Sequence, residues 1–178
     1  MKPDASGWFS GVQRIASPNF DARPANTPVT LLVIHSISLP PNDFGGAGIC
    51  QLFTNTLDCS AHPYYEQLEG LRVSSHFLVR RNGNIIQFVP CTQRAWHAGV
   101  SEWQGVGRCN DYSIGIELEG SDFVAFDQAQ YLALARLTRH LKRHYPIRSI
   151  VGHSDIAPGR KTDPGPYFEW EHYLNLIK

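Results

Sequence analysis

The chain carries no surplus of charge. Its 16 basic and 16 acidic side chains cancel, which removes the electrostatic footprint of a dedicated nucleic-acid binder. An acidic ligand must then be met by arginines placed for it locally. No apolar run approaches transmembrane length, and the N-terminal MKPDASGWFSGVQRIASPNF lacks the apolar stretch of a secretory signal, so the expectation is a cytoplasmic protein that engages no membrane. The four cysteines, Cys50, Cys59, Cys91 and Cys109, show no C-x-x-C pairing; this argues against a zinc finger and a dithiol redox motif and for free thiols. There is no internal repeat and no low-complexity linker. The 178 residues therefore form a single domain, 1–178, with residues 1–28 as an extended segment packed on it.

What is present reads as alternating strands and helices. VTLLVIH, residues 29–35, is a near-continuous apolar run expected to form a strand buried on both faces and ending at His35. A Pro- and Gly-rich loop leads to a short helix over 49–57. Residues 73–81 and 84–89 read as two strands joined at Asn82-Gly83, hence an antiparallel pair. SIGIEL, residues 113–118, alternates, with Glu117 on the face opposite Ile114, Ile116 and Leu118. The longest helix starts at Asp127, an N-cap with Gln130 three residues on, carries Tyr131, Leu134, Thr138 and Leu141 on one stripe, and stops at Pro146. A strand over 148–151 delivers His153, and 167–177 forms a terminal helix. The fold class is α/β, a mixed sheet flanked by helices.

Chemistry-bearing residues collect at the strand ends. HSDIAPGRKTDPGPYF, residues 153–168, places His153, Lys161 and Asp163 on a loop whose prolines and glycines fix its shape. Hydrolytic zinc takes three protein ligands and leaves a position for water, and His35, His153 and Asp163 compose such a set. No H-E-x-x-H spacing ties them to one helix, so from spacing alone ordinary polar residues on a turn are the better account. His76 and His97 sit among apolar and aromatic neighbours, which suits core histidines or histidines that support a ligand from behind. Trp96 and Trp103, near His97, suit a sugar platform as well as groove wall or core.

Five segments in chain order carry a resemblance: LLVIHSISLPP, RVSSHFLVRRNG, RAWHAGVS, RCNDYSIGIELEG and GHSDIAPGRKTDPGP. Together they resemble the AmpD-type anhydro-N-acetylmuramoyl-L-alanine amidases, within a zinc amidase superfamily that includes phage amidases and peptidoglycan-recognition proteins. The resemblance implies one zinc ion on His35, His153 and Asp163, Glu117 and Lys161 as acid/base and oxyanion-stabilising groups, and substrate contacts from Arg72, Arg108 and the backbone at Ala157. Ser36 follows the first ligand where the family pattern has Asn, a change at one polar substrate contact. Ser75 precedes His76 where the phage branch has Tyr, which moves the acid/base role to Glu117. The implied protein is a monomer that cleaves anhydro-muropeptides in cell-wall recycling. Two rivals share the scaffold: a general amidase of intact peptidoglycan, and a non-catalytic muropeptide-binding module, which would be expected to lack a ligand or Glu117.

Overall fold

Strict alternation in SIGIELE decides what each side of the sheet does. The computed structural model describes residues 1–178. In chain order its strands are β1 (Gln13–Arg14), β2 (Phe20–Ala22), β3 (Leu31–Ile37), β4 (Phe77–Val79), β5 (Ile85–Gln87), β6 (Gln93–Ala95), β7 (Glu102–Trp103), β8 (Val106–Gly107), β9 (Ser113–Glu119) and β10 (Ser149–Gly152). Six of them form one mixed sheet in the order β1-β5-β4-β9-β3-β10. β9 is its centre, parallel to β3 on one side and to β4 on the other. The odd residues Ser113, Gly115, Glu117 and Glu119 leave β9 on one face, and Ile114, Ile116 and Leu118 on the other.

The second face is the larger core. Ile114, Ile116 and Leu118 join Leu32, Ile34, Phe77 and Val79 against Leu134, Leu137 and Leu141 of helix α2 (Gln128–His144) and Tyr173 of α4 (Trp170–Leu176). Each such leucine stabilises the fold by about 1.5–3 kcal/mol through burial. The stripe expected on α2, Tyr131, Leu134, Thr138 and Leu141, is buried throughout. The Gln130 side chain accepts from the Asp127 N–H at 3.0 Å, as the capping pattern requires.

The first face holds two smaller clusters. One packs α1 (Gly48–Phe53) on Leu78, Ile86 and Phe88; the other surrounds Leu31, Val33, Val151 and Ile156. Trp103 packs against the latter. The N-terminal segment contributes structure of its own: β1 extends the sheet beside β5, β2 pairs with β6, and Phe9 enters the core.

Several boundaries differ from expectation. β3 does not end at His35 but continues through Ile37, because β9 still offers partners in Leu118 and Glu119. The 73–81 run pairs regularly only over Phe77–Val79: upstream, Ser74 donates its N–H to the Trp96 carbonyl and His76 to that of Gly115. The β4–β5 pair is antiparallel, with Gly83 at φ 81° in its turn. His153 does not trail a strand; it opens a one-turn helix, α3 (His153–Ile156), directly after β10.

Candidate metal centre and active site

Three adjacent parallel strands carry the site. His35 on β3 is the register partner of Glu117 on β9, and β10 lies on the other side of β3 with Gly152 opposite Ile34. His153 is the next residue, so Glu117, His35 and His153 stand in a row across the sheet. The rigid Pro-Gly loop then returns Asp163 to them, held by the Ser154 N–H donating to its carbonyl at 2.9 Å.

Three potential donor atoms converge. His35 Nδ1 lies 3.0 Å from His153 Nδ1 and 3.0 Å from Asp163 Oδ2, and His153 Nδ1 lies 3.1 Å from the same oxygen. Ligands about 2.0–2.1 Å from a tetrahedral ion stand about 3.3 Å apart, close to this triangle. Protonation supports the fit. His153 Nε2 lies 3.2 Å from the Ala98 carbonyl, which can only accept, so that nitrogen carries the hydrogen and Nδ1 presents a lone pair. His35 Nε2 has a partner in His97 Nδ1 at 2.9 Å. With His35 protonated on Nε2 as well, two lone pairs and a carboxylate oxygen face one point, which is a cation's donor set. No other group of histidine, cysteine and acidic side chains converges in this way.

Electrostatics agrees with those states. Burial pushes the His35 imidazole below its ordinary value despite the Asp163 carboxylate beside it, so it is neutral. Burial alone would raise Asp163, but hydrogen bonds to His153 and His35 outweigh it and hold the carboxyl below the usual range. Glu117 is the opposite case. Burial, reinforced by the nearby Asp163 charge and opposed by Lys161, pushes it well above the ordinary carboxyl value. Its Oε2 is buried with no hydrogen-bond partner. An unpaired carboxyl oxygen on the cleft wall is a group poised to hold or release a proton.

The cleft above has a volume of about 550 Å³. His35, Ser36, Glu117, His153, Lys161 and Asp163 line it, with Trp96, Tyr64, Leu71 and Phe123 as apolar walls. Lys161 is exposed. Three of the expected contacts stand apart from this lining. Arg72 is exposed, between cleft residues Leu71 and Val73, and its guanidinium donates to the Leu71 carbonyl. Arg108 is exposed and pairs with Asp111 at 3.0 Å. Ala157 is buried, and its carbonyl accepts from the N–H groups of Arg160 and Lys161.

The two other histidines of this face are buried and neutral, each pushed well below its ordinary value by burial. His76 accepts the Gly115 N–H on Nδ1 and has the Gln93 carbonyl at Nε2, so both ring nitrogens are occupied within the fold. His97 touches the candidate ligand His35 from behind. Gly115 was the one available signal for that contact: a glycine inside a buried strand marks a close approach, and a Cβ there would lie 2.5 Å from the His97 ring.

Two imidazoles and a carboxylate whose donor atoms converge, beside a buried carboxyl group with a raised pKa on the wall of an open cleft, define the class: a centre suited to metal-assisted hydrolysis. Comparison with known proteins narrows it. Residues 25–166 match the N-acetylmuramoyl-L-alanine amidase family, and the chain belongs to that family. The 1,6-anhydro-N-acetylmuramyl-L-alanine amidase AmpD of Escherichia coli K12 is 54% identical over 96% of this chain and 94% of its own length. The crystal structure of a selenomethionine AmpD derivative superposes with a TM-score of 0.97 at 52% identity, over 100% of both chains. The Escherichia coli amidase AmiD, solved with anhydro-N-acetylmuramic acid-L-Ala-D-gamma-Glu-L-Lys, matches with a TM-score of 0.60 at 36% identity, over 86% of this chain and 59% of that one.

Proposed function

We propose that this chain is a zinc-dependent amidase that hydrolyses the bond between anhydro-N-acetylmuramic acid and L-alanine in muropeptides, working as a cytoplasmic monomer in peptidoglycan recycling. The observation that carries the reading is the triangle of acceptor atoms from His35, His153 and Asp163 beside the unpaired Glu117 oxygen. These three residues would hold the zinc. When bound, it supplies a Lewis acid and lowers the pKa of water toward about 7. Glu117 accepts the proton of the attacking water and delivers it to the departing L-alanine nitrogen, a transfer its raised pKa suits. Lys161 faces the oxygen on which negative charge develops. Ser36 contacts the substrate from the cleft, and the backbone at Ala157 fixes the loop that carries Lys161. Arg72 and Arg108 hold the stem-peptide carboxylates, a task that favours a guanidinium fork over an ammonium.

No helix is long and apolar enough to cross a membrane. The deciding experiment is mass analysis of products from an anhydro-muropeptide, with and without a zinc chelator. The expected result is release of the intact stem peptide, abolished by chelation. Unchanged substrate, or activity that survives rigorous chelation, overturns the reading.

A further inference from the structure

Each histidine of the triangle has a second ring nitrogen, and both lead to the same dipeptide. His35 Nε2 meets His97 Nδ1 at 2.9 Å, and His153 Nε2 meets the Ala98 carbonyl at 3.2 Å. We propose that His97-Ala98 is the positioning element of the metal site, setting the tautomer and ring orientation of both histidine ligands at once; this rests on the zinc reading above.

The dipeptide is itself clamped. Asn110 Oδ1 accepts both of its N–H groups, at 3.1 Å from His97 and 2.9 Å from Ala98. Arg160 donates to the Ala98 carbonyl at 2.9 Å, filling its second lone pair. The His97 ring is seated by β9. Ser113 Oγ lies 3.1 Å from Nε2, and Gly115 leaves the space the ring occupies. His97 then carries its hydrogen on Nε2 toward Ser113 and accepts from His35 on Nδ1. One strand face thus supplies the anchor of the ring at Ser113, its seat at Gly115 and the acid/base at Glu117.

The physical consequence is preorganisation. A ligand imidazole whose far N–H is held by an acceptor cannot rotate its lone pair away, and it becomes a better donor to the metal. Here the two acceptors are consecutive residues of one clamped backbone, so the rings are fixed relative to each other. Ala98 acts through its main chain, so the device is exposed to mutation through the side chains around it, of which His97 and Asn110 act most directly, with Arg160 and Ser113 behind them.

The test is zinc affinity, read by chelator competition, in the full chain and in His97→Leu, His97→Asn and Asn110→Ala. Zinc should bind His97→Leu about 10–100-fold more weakly. His97→Asn should recover most of that loss, because its side-chain carbonyl replaces the lost acceptor. Asn110→Ala should weaken binding although Asn110 touches neither ligand. Nitrogen-15 spectra of the unmutated chain supply a readout independent of variant folding: both His35 and His153 should be Nε2–H tautomers in the metal-free and zinc-loaded forms. Unchanged affinity in His97→Leu and Asn110→Ala, or an Nδ1–H tautomer at either ligand in the metal-free chain, overturns the proposal. An unmutated chain that binds no zinc would instead remove the reading beneath it.

Discussion

His35 and Glu117 are register partners across the parallel ladder of β3 and β9, and their side chains leave the sheet on the same face. The backbone therefore fixes how a candidate ligand stands to a candidate proton carrier, without help from any loop. Glu117 nonetheless lies outside the acceptor triangle, so the two roles separate by mutation. Glu117→Ala should retain zinc while turnover falls by about 100-fold or more. Metal content and kcat measured on the same preparation decide it. Near-normal turnover removes the acid/base assignment, and loss of zinc makes the carboxylate a ligand.

The triangle makes a complementary prediction. His35→Ala, His153→Ala and Asp163→Ala should each lose the zinc that the unmutated chain holds at about one per chain. Zinc should also raise the melting temperature of the unmutated chain, since a ligand present at 1,000 times its Kd stabilises by about 4 kcal/mol. In the three variants that shift should shrink or vanish. Full occupancy in all three, by elemental analysis, would dismiss the site.

Much of this was legible in the order of residues, for definite reasons. The alternation of SIGIEL placed Glu117 opposite the core isoleucines, and Asp127 with Gln130 announced α2, because both signals are local. The convergence of His35, His153 and Asp163 was legible only as a possibility. Side chains that meet through sheet order leave no spacing in sequence, and β10 beside β3 brings together residues more than a hundred positions apart. Asn110 and the Ala98 carbonyl were not legible at all. A backbone acceptor has no residue signature, and an asparagine that clamps two amides reads like any asparagine in a loop.

Gly115 converts that tertiary dependence into a measurement. A Cβ at this position would lie 2.5 Å from the His97 ring, so Gly115→Ala must displace a buried side chain. It should cost about 1–3 kcal/mol in urea unfolding and weaken zinc binding along with it. Gly46→Ala is the control: its Cβ meets nothing within 4 Å and its φ is not positive. That variant should stay within about 0.5 kcal/mol of the unmutated chain. Equal stability of the two variants would show that the His97 ring is not tightly seated.

The ribbon of β2 and β6 gives a prediction in pH. Arg94 grips Asp21 through two contacts of 2.6 Å, and this hydrogen bonding holds the Asp21 carboxyl below its ordinary value against a smaller opposing effect of burial. A depressed carboxyl stabilises the folded state above its unfolded pKa, and the contribution disappears as pH falls through the lower folded value. Asp21 is 43% exposed on its side chain, so solvent screening limits the effect to about 0.2–1 kcal/mol. Asp21→Asn should therefore be less stable at neutral pH, with the gap closing below about pH 4. A gap that stays constant down to acid-induced unfolding would assign the loss to something other than this ion pair.

Substrate choice is the last prediction, and it follows from what an anhydro bridge does to the sugar. Closing the bridge removes the reducing-end hydroxyl and changes the shape of the ring. A site fitted to that shape meets a penalty when an ordinary muramic acid enters, because the extra hydroxyl must be desolvated without a partner. Such a group costs about 1–3 kcal/mol, or roughly tenfold to a hundredfold in kcat/KM. The peptide end is a separate matter, since Arg72 and Arg108 are exposed and outside the cleft lining. Truncating both to alanine should raise KM for peptides that carry free carboxylates while leaving kcat for bound substrate nearly unchanged, the pattern of lost uniform binding. Paired kinetics on anhydro and reducing-end muropeptides with the same stem peptide test the sugar, and the double variant tests the peptide. Equal kcat/KM on the two sugars would favour a general wall amidase, and an unchanged KM in the double variant would take the arginines out of substrate binding.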